Sequence, residues 1–464
     1  MSTGHRELDA ILGGGFPEHS TNILMGPPGT GKTILAEQTM FHNAGGERPA
    51  VYISTLSEPL AKVLGHLQRF RFFDAEKMLG GVVYEDLAGA LLERGVGHLV
   101  ERVRELMREV EPKLLVIDSF KAVHDLAGTP LEMRRVAAEL GGLLSASDVT
   151  TFLVGEYAPE AVSEYPEFAV VDGIVELSRQ RTDKRDERHI RVLKLRGSGY
   201  QEGLHAFTIT PDGLRVYPRL VSPAEPLPYT ASAERVPTGV AGLDAMLGGG
   251  FWRGSATLVV GPAGSGKTTF ALAFALGAVE RGEAALYLNF QENPTQLART
   301  IGGLGVDLEE YRRKGLRLQY ASPVELRIDA VVVELFRSIR EEGIRHVVVD
   351  AVGDLALAAT SRERFHDYMY SVVQHFAGAE VTSVMTLEGQ AGVRRAWTQP
   401  ESRYSTLSDV LIELDLLAGD PPVGRTLRVV KARGIAHPLA PRAMEIGAKG
   451  IRVAEGAQGD ASRA

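Results

Sequence analysis

The stretch "GPPGTGKT", residues 26 to 33, recurs as "GPAGSGKT", residues 261 to 268, and this pair decides the fold. Each copy has the pattern G-x-x-x-x-G-K-[ST] between an apolar run and a helical pattern, which is the setting of a phosphate-binding P-loop. In such a loop the glycines let backbone N–H groups point toward the phosphates, and the N-terminus of the helix adds positive potential. The lysine reaches the β- and γ-phosphates, and the hydroxyl of the last residue can bind Mg²⁺. The alternative is a glycine-rich turn that binds nothing. The predicted nucleotide-binding residues are Gly26, Pro27, Pro28, Gly29, Thr30, Gly31, Lys32, Thr33, Gly261, Pro262, Ala263, Gly264, Ser265, Gly266, Lys267 and Thr268.

A long internal repeat surrounds the two motifs. "STGHRELDAILGGGF" from Ser2 matches "PTGVAGLDAMLGGGF" from Pro237, at the interval of about 235 residues that also separates the two P-loops. The stretch between the copies is rich in Pro, Ala and Ser, as expected of a linker. We therefore predict a first domain over residues 1–222, a linker over 223–236, and a second domain over 237–464 that ends in a short tail.

Short β-branched runs alternate with helical patterns in each copy. "TNILM", "AVYIS", "KLLVID" and "TFLVG" in the first copy have counterparts in "ATLVV", "AALYL", "HVVVD" and "TSVMT" in the second. Strands separated by helices in this order predict a mostly parallel sheet with helices on both faces. The expected fold class is α/β, with two tandem P-loop domains.

An aspartate closes one apolar run of each copy, Asp118 in "LLVIDS" and Asp350 in "VVVDA". Beside a P-loop, such a carboxylate holds Mg²⁺ through the water shell of the ion, whereas elsewhere it is often only a turn former. We predict one magnesium site at Thr33 and Asp118 and another at Thr268 and Asp350.

The expected strand tips beside the P-loops differ, with "YISTLSEP" in the first copy and "YLNFQENP" in the second. Phosphoryl transfer needs a group that orients or deprotonates the attacking oxygen. An ungapped match sets Glu292 opposite Ser57 and leaves Glu58 one position late. We predict that Glu292 is the catalytic carboxylate of the second domain and that Glu58 is the candidate in the first. An acidic helix-capping turn before proline is the alternative for both.

A basic strand comes late in each copy, with Lys194 and Arg196 in "RVLKLRG" and Lys431 and Arg433 in "RVVKARG". Residues two apart on a strand share a face, so the two cations of each pair are expected to project together, as a finger for a γ-phosphate would. Basic strand edges are also common as solvated surfaces that prevent aggregation. The recurrence of the pair in both copies favours the phosphate role.

Composition limits the classes of partner. A formal charge of −8 and a pI near 5.9 give no general attraction to nucleic acid or to anionic membranes. The basic cluster "RQRTDKRDERHIR", residues 179 to 191, is interleaved with acids and lacks stacking aromatics, which indicates a solvated hairpin tip. The absence of cysteine excludes disulfides and thiolate sites. No signal peptide or membrane span is expected, so we predict a cytoplasmic protein without a nucleic-acid partner.

Together these motifs resemble the KaiC group of RecA-like ATPases. The T-G-x-x-x-L-D-x-x-L-G-G-G opening, the P-loop, the strand-ending aspartate, "LKLRG" and "FTITPDGLRVYP" carry the resemblance, which covers nearly the whole chain and includes the duplication. It implies two RecA-like domains, ATP as the nucleotide, and a homo-hexameric ring with ATP between neighbouring subunits. It also implies that Lys194, Arg196, Lys431 and Arg433 contact the nucleotide of the next subunit.

The resemblance further implies that the second domain phosphorylates a Ser-Thr pair just before a strand-leading aspartate. Ser405 and Thr406, ahead of Asp409, fit that position, and the first copy has no hydroxyl at either place. The sequence "AEGAQGDASRA" after Val453 is expected to be too short for the regulatory tail of the clock proteins in this group.

The expected function is that of an ATP-binding and ATP-hydrolysing ring with serine/threonine autokinase activity in the second domain. Such a protein acts as a regulatory or signalling ATPase with a signalling protein partner that the sequence does not identify. One alternative is a DNA-dependent ATPase or recombination mediator. Another is a nucleotide-gated scaffold with little turnover, which the strand tip of the first domain favours. No N-K-x-D motif is present, so GTP is not expected.

Overall fold

The chain divides into two compact units, Met1–Arg219 and Leu220–Ala464. The computed structural model describes residues 1–56, 60–181, 186–221, 232–303, 305–324, 326–359, 362–389, 407–417, 424–447 and 450–454. The division lies just before the predicted linker of residues 223–236, whose last residues, Arg235–Val236, form a strand of the second unit. No helix in the described ranges is long and apolar enough to cross a membrane.

The first unit alternates strands and helices up to its sixth strand and then continues as antiparallel strands. Its helices are α1 (Arg6–Ile11), α2 (Lys32–Asn43), α3 (Leu60–Leu67), α4 (Ala75–Gly80), α5 (Ala88–Arg94), α6 (Gly97–Glu109), α7 (Phe120–Leu126), α8 (Pro130–Ser145), α9 (Ala161–Glu164) and α10 (Glu167–Val170). Its strands are β1 (Thr21–Met25), β2 (Ala50–Ser54), β3 (Val82–Asp86), β4 (Leu114–Asp118), β5 (Thr150–Gly155), β6 (Gly173–Arg181), β7 (Asp186–Leu195), β8 (His205–Thr210) and β9 (Gly213–Tyr217).

One nine-stranded sheet organises this unit, in the order β3-β2-β4-β5-β1-β6-β7-β8-β9. The pairings from β3 to β6 are parallel, and those from β6 to β9 are antiparallel. The strand that leads into the first P-loop, β1, therefore lies between β5 and β6 at the centre of the sheet. A loop that leaves a central parallel strand lies at the carboxyl edge of the sheet, where α/β proteins bind their ligands.

Two apolar cores cover the two faces of the sheet. Leu24 of β1 packs with α1, α2 and α3 on one face, whereas its neighbours Ile23 and Met25 pack with α5 to α8 on the other. All five residues of β1 are buried, as are those of β2 and β4. Burial on both faces explains why these strands appear in the sequence as continuous apolar runs.

The second unit repeats this architecture. Its helices are α11 (Leu243–Met246), α12 (Lys267–Glu280), α13 (Pro294–Gly303), α14 (Leu308–Lys314), α15 (Ile328–Glu342), α16 (Val352–Ala358) and α17 (Arg362–Gly378). Its strands are β10 (Arg235–Val236), β11 (Phe251–Trp252), β12 (Ala256–Gly261), β13 (Ala285–Asn289), β14 (Leu316–Tyr320), β15 (His346–Asp350), β16 (Thr382–Glu388), β17 (Val410–Leu416), β18 (Arg425–Ala432), β19 (Arg442–Gly447) and β20 (Gly450–Val453).

The main sheet of the second unit has the order β14-β13-β15-β16-β12-β17-β18-β19-β20, which matches the first position by position. Strands β10 and β11 pair separately. The predicted α/β fold with mostly parallel sheets and flanking helices is thus confirmed in both units. Of the basic cluster at 179–191, residues 179–181 lie in β6 and residues 186–191 lie in β7, and Arg179 is paired with Asp186 across these antiparallel strands. The expected solvated tip, residues 182–185, lies outside the described residues.

Candidate nucleotide-binding sites

Both P-loops lie at the carboxyl edge of a central strand and end in a helix. The helices α2 and α12 begin at Lys32 and Lys267, and the residue before each is a glycine with a left-handed backbone, φ 103° at Gly31 and φ 104° at Gly266. A side chain at either glycine would also meet the last hairpin of its own domain. A Cβ at Gly31 would lie 3.0 Å from Cδ1 of Ile209, and one at Gly266 would lie 2.6 Å from Cδ1 of Ile446. The glycine pattern is therefore required by conformation and by packing.

Each P-loop lysine folds back over its own loop. Lys32 donates from Nζ to the Pro27 carbonyl at 2.9 Å, and Lys267 donates to the Gly261 and Pro262 carbonyls at 2.9 Å each. Burial lowers the pKa of Lys32 and of Lys267, and nearby carboxylates oppose that shift. The ammonium groups therefore lie inside the loops, with carbonyl partners that phosphate oxygens of higher charge can replace.

The strand-ending aspartates lie beside the P-loops, as expected. Asp118 accepts hydrogen bonds at Oδ2 from the Thr33 hydroxyl at 2.6 Å and from the Tyr52 hydroxyl at 3.0 Å. Asp350 accepts from Tyr287 at 2.6 Å and also from the Thr386 hydroxyl. A hydroxyl bond thus fixes each carboxylate at the edge of the sheet.

The sequence motifs do not identify the two tyrosines that donate to these aspartates. Burial raises the pKa of Tyr52 and of Tyr287 well above the ordinary value, and the adjacent aspartates add to the shift, so both hydroxyls keep their protons and donate. The signal was present in the repeat, because "AVYIS" and "ALYLN" carry tyrosine at the same position of the same strand. Its meaning depends on β2 pairing with β4 and β13 with β15, which brings each tyrosine beside its aspartate.

The oxygen chemistry at this edge fits magnesium. Mg²⁺ prefers oxygen ligands and usually keeps several waters beside one or two carboxylates and substrate phosphates. The Thr33 hydroxyl and the Asp118 carboxylate already lie in contact. Among the described residues, no group of three or more His, Asp or Glu side chains could hold a metal by itself. An ion here would therefore take its remaining ligands from water and phosphate.

Glu292 lies three residues beyond the end of β13, in a turn built by Asn289. The Asn289 side chain accepts from the Glu292 backbone N–H at 3.3 Å and donates to the Glu292 carbonyl at 2.8 Å. Oε1 of Glu292 accepts from Thr300 at 3.4 Å, while Oε2 is buried without a hydrogen-bond partner in the described structure. One carboxylate oxygen is thus available for a further donor. The first-domain candidates, Ser57 and Glu58, lie outside the described residues.

A second carboxylate, also missed, lies beside each P-loop. Glu156 directly follows β5, and Glu388 ends β16, on the strand next to the one that carries the loop. Burial is the larger influence on both lysines and lowers their pKa values. The negative charge of Glu156 opposes this shift at Lys32, and that of Glu388 opposes it at Lys267. No motif includes these two residues, so the sequence alone gives them no role.

A cavity of about 790 Å³ opens beside the first P-loop. The P-loop residues Lys32 and Thr33 line it, together with Asp118. Phe70 and Ile209 form an apolar part of its lining, and Glu156 adds a carboxylate. The size and the mixed lining suit a nucleotide-sized ligand.

The two cations of each basic pair have partners in their own chain. Lys194 and Lys431 lie within the strands β7 and β18, whereas each arginine comes one residue after its strand ends. Each lysine donates to a backbone carbonyl at 2.6 Å, that of Val171 in the first unit and that of Ser408 in the second. The two cations of a pair therefore have separate partners at the same edge of the sheet. Burial, and after it the nearby arginine, lowers the pKa of each lysine, so the two charges of a pair lie close together. That they share a strand face stays a prediction.

An aspartate joins each arginine to the start of the P-loop strand. Arg196 lies 3.8 Å from Asp172, and Arg433 lies 3.6 Å from Asp409. The other oxygen of Asp172 accepts from the first backbone N–H of β1 at 3.1 Å, and that of Asp409 accepts from the first N–H of β12 at 3.0 Å. Each basic pair thus lies at the amino edge of the sheet, where the P-loop strand begins, and the P-loop lies at the carboxyl edge, where the strand ends.

The predicted phosphoacceptors, Ser405 and Thr406, lie outside the described residues. The chain enters β17 through Leu407, and the first residue of β17, Val410, pairs with Thr257 near the start of β12. The described chain before β17 therefore lies at the amino edge of the second sheet, on the side of Lys431 and Arg433.

Comparison with known proteins gives the family. A family model described as the KaiC ATPase matches residues 1–221 and again residues 236–458. The chain belongs to the KaiC family. Among relatives of this KaiC-family chain is the circadian clock oscillator protein KaiC of Picosynechococcus sp., 31% identical over 93% of this chain and 84% of the relative. KaiC 1 of Synechocystis sp. is 29% identical over 93% and 84%, and KaiC of Synechococcus elongatus is 27% identical over 97% and 88%.

Proposed function

We propose that this KaiC-family ATPase forms a ring in which the second domain transfers phosphate to Ser405 and Thr406 of a neighbouring copy. Nucleotide binding and ATPase function follow from the family, and ring assembly and autokinase activity are the proposed additions. One observation carries the proposal. The P-loop and the basic pair of each domain lie at opposite edges of the same sheet.

The length of the central strand separates these two edges. β12 has six residues, Ala256–Gly261, and six strand residues span roughly 20 Å. Lys431 and Arg433 at its beginning are therefore too far from the nucleotide of their own P-loop to contact it. A head-to-tail contact between copies brings the amino edge of one sheet against the carboxyl edge of the next, and repeated contacts of this kind close into a ring.

The transfer step uses groups from two copies. The hydroxyl oxygen of Ser405 or Thr406 forms a bond to the γ-phosphorus, the bond from that phosphorus to the β,γ-bridging oxygen breaks, and ADP leaves. The hydroxyl proton passes to Glu292 of the copy that binds the nucleotide, whose buried Oε2 has no partner among the described residues. Lys431 and Arg433 of the acceptor copy offset the charge that develops on the transferred group.

The proposed reaction also requires a magnesium ion at the phosphates of the nucleotide. When bound, the ion would neutralise charge on the β- and γ-phosphates. Thr33 and Asp118 would hold it in the first domain, and Thr268 and Asp350 in the second. For the first domain, Ser57 stands where the second has Glu292, which supports binding with slow turnover and a role in assembly.

A mixing experiment tests transfer between copies. One full-length variant, Lys267→Ala, retains the acceptors and loses nucleotide binding in its second domain. The other, Ser405→Ala/Thr406→Ala, retains the donor site and loses the acceptors. With γ-labelled ATP, we expect no label on either variant alone and label on the Lys267→Ala chain after the two are assembled together.

Three results would contradict the proposal. Wild-type protein that hydrolyses ATP but takes up no label would exclude the autokinase and leave the ATPase. Label on wild type that persists in Ser405→Ala/Thr406→Ala would place the acceptor elsewhere. Wild-type label without any label in the mixture of variants would show that transfer occurs within one chain.

A further inference from the structure

The first-domain cavity extends beyond the P-loop to a cation that lies outside the P-loop motif. Lys121 and Asp125 of α7 line the same cavity as Lys32, Thr33 and Asp118. Lys121 comes three residues after Asp118, in the first turn of α7, where the Ser119 side chain caps the helix. The strand that ends in the magnesium-site candidate thus leads directly to a second ammonium group.

The surroundings of Lys121 hold its side chain at the cavity. A Cβ added at Gly155 would lie 3.1 Å from Cβ of Lys121, so the stem packs against the end of β5. Its Nζ lies 5.6 Å from the centroid of the Tyr165 ring and donates to the carboxylate of Asp125. The Lys121 side chain is 19% exposed and that of Asp125 is 62% exposed. Because the carboxylate of this ion pair is largely exposed, the pair contributes little free energy, and another anion can replace Asp125.

A buried polar cluster supports the wall behind Lys121. The Tyr165 ring stacks on the His124 ring with centroids 4.1 Å apart. Nδ1 of His124 lies 2.9 Å from Oε1 of Glu167, and the Tyr157 hydroxyl donates to the same oxygen at 2.9 Å. The Glu167 side chain is 0% exposed. Burying a carboxylate is costly unless it is fully hydrogen-bonded, so this cluster fixes one position for the Tyr165 ring beneath the ammonium.

The second domain lacks the lysine, the histidine and the aspartate of α7 at the matching positions. Counted from the strand-ending aspartates, Gly353 corresponds to Lys121, Ala356 to His124 and Leu357 to Asp125. Leu357 is 76% exposed. The cation and its anionic partner therefore distinguish the first nucleotide site from the second, although the two sheets match strand by strand.

We propose that Lys121 binds the terminal phosphate of a nucleoside triphosphate in the first domain, exchanging Asp125 for a phosphate oxygen. This rests on the nucleotide site of the first domain proposed above. A γ-phosphate carries more charge than one carboxylate and forms stronger charge-assisted hydrogen bonds. A diphosphate presents no γ-phosphate, so Lys121 stays with Asp125. The residue thereby makes this site discriminate triphosphate from diphosphate.

The test measures that discrimination in the full-length chain. Lys267→Ala serves as the parent, so that only the first site binds nucleotide. We expect Lys121→Met to weaken binding of ATPγS about tenfold and to change binding of ADP less than about twofold, with Lys121→Arg restoring most of the difference. Arg135→Met removes a cation of α8 that lies outside the cavity and should change neither affinity.

A second variant reports on the same exchange without removing the cation. Asp125→Asn eliminates the competing anion and should tighten ATPγS binding a few-fold while leaving ADP unchanged. Equal losses of ATPγS and ADP in Lys121→Met, or unchanged affinities in both variants, overturn the role of Lys121 and leave the nucleotide site intact. A parent that binds neither nucleotide overturns the nucleotide site itself, and the role of Lys121 with it.

Discussion

The two nucleotide sites of this chain share a framework and differ in the side chains set on it. In both, a lysine folds onto P-loop carbonyls, and a tyrosine hydroxyl holds the strand-ending aspartate. Only the first has Lys121 and Asp125 at the cavity, and only the second has Glu292 at the position filled by Ser57 in the first. The framework depends on strand order and burial, which the duplication kept. The reactive groups lie past strand ends, where a substitution leaves the sheet unchanged.

The largest effect on ATP turnover is expected at Glu292, since the first domain has Ser57 at the matching position. Glu292→Gln, in a chain whose first site is disabled by Lys32→Ala, should lower ATP turnover about 100-fold with nucleotide affinity nearly unchanged, because the loss of an acid–base group costs about 10²–10⁴-fold. Phosphate release and nucleotide binding measure the two quantities. Glu341→Gln, on the exposed end of α15, is the control.

The reciprocal change sharpens the same comparison. Ser57→Glu, in a chain carrying Lys267→Ala, should raise turnover by the first domain several-fold. Equal turnover by the two wild-type sites, or full turnover by Glu292→Gln, would show that the strand-tip carboxylate does not distinguish the domains.

An intermediate effect, on stability, is expected at the tyrosine–aspartate hydrogen bond that both domains have. Tyr52→Phe and Tyr287→Phe each remove a buried hydroxyl that donates to the strand-ending aspartate, at a cost of about 1–2 kcal/mol. For domains of this size, that lowers Tm by about 2–8 °C. Calorimetry should show similar losses in the first-domain and second-domain transitions. Tyr370→Phe, at an exposed position, is the control and should leave Tm unchanged. A loss of Tm in only one of the two domains would show that this hydrogen bond does not stabilise both domains equally.

The smallest effect is a pH dependence specific to the second domain. Burial lowers the pKa of His346, although the nearby Glu283 opposes the shift, and Leu114 occupies the matching position in the first domain. The unfolded chain therefore takes up this proton at a higher pH than the folded one. Stability from this residue is fully present above about pH 6.5 and declines as pH falls below that value.

Replacing the buried imidazole should remove that decline. We expect His346→Leu to flatten the fall in Tm of the second-domain transition between about pH 7.5 and about pH 5.5, the range around the ordinary histidine pKa. His375→Leu, on α17, should keep the wild-type slope. An identical slope in His346→Leu would assign the acid sensitivity of this domain to other groups.

Local patterns were enough to predict the fold. The P-loops, the apolar strands and the strand-ending aspartates are each encoded within a few consecutive residues, and the repeat supplied an internal check. Tyr52, Glu156 and Lys121 could not be found in that way. Their roles depend on which strand lies beside which, and a strand order that places β5 and β4 between β1 and β2 is not written in any short segment.

The basic pairs show a different limit. The spacing of Lys431 and Arg433 predicted two cations on one strand face, because a regular strand alternates its side chains. In the structure Lys431 lies in β18 and Arg433 directly follows it, and the two cations have different partners, the Ser408 carbonyl and the Asp409 carboxylate. These partners belong to the chain that enters the neighbouring strand β17, so the sequence of one strand does not predict them.

Asp409 gives these cations a selectivity of their own. One of its oxygens aligns the start of the P-loop strand, while the other occupies Arg433, which is 59% exposed. An incoming anion must therefore outcompete a resident carboxylate, and its net gain is the difference between the two pairings. Weakly charged anions gain little from that exchange, whereas a polyphosphate gains more. Loss of Asp409 would remove that competing carboxylate from Arg433 and would at the same time remove a hydrogen bond from the start of the strand that carries the P-loop.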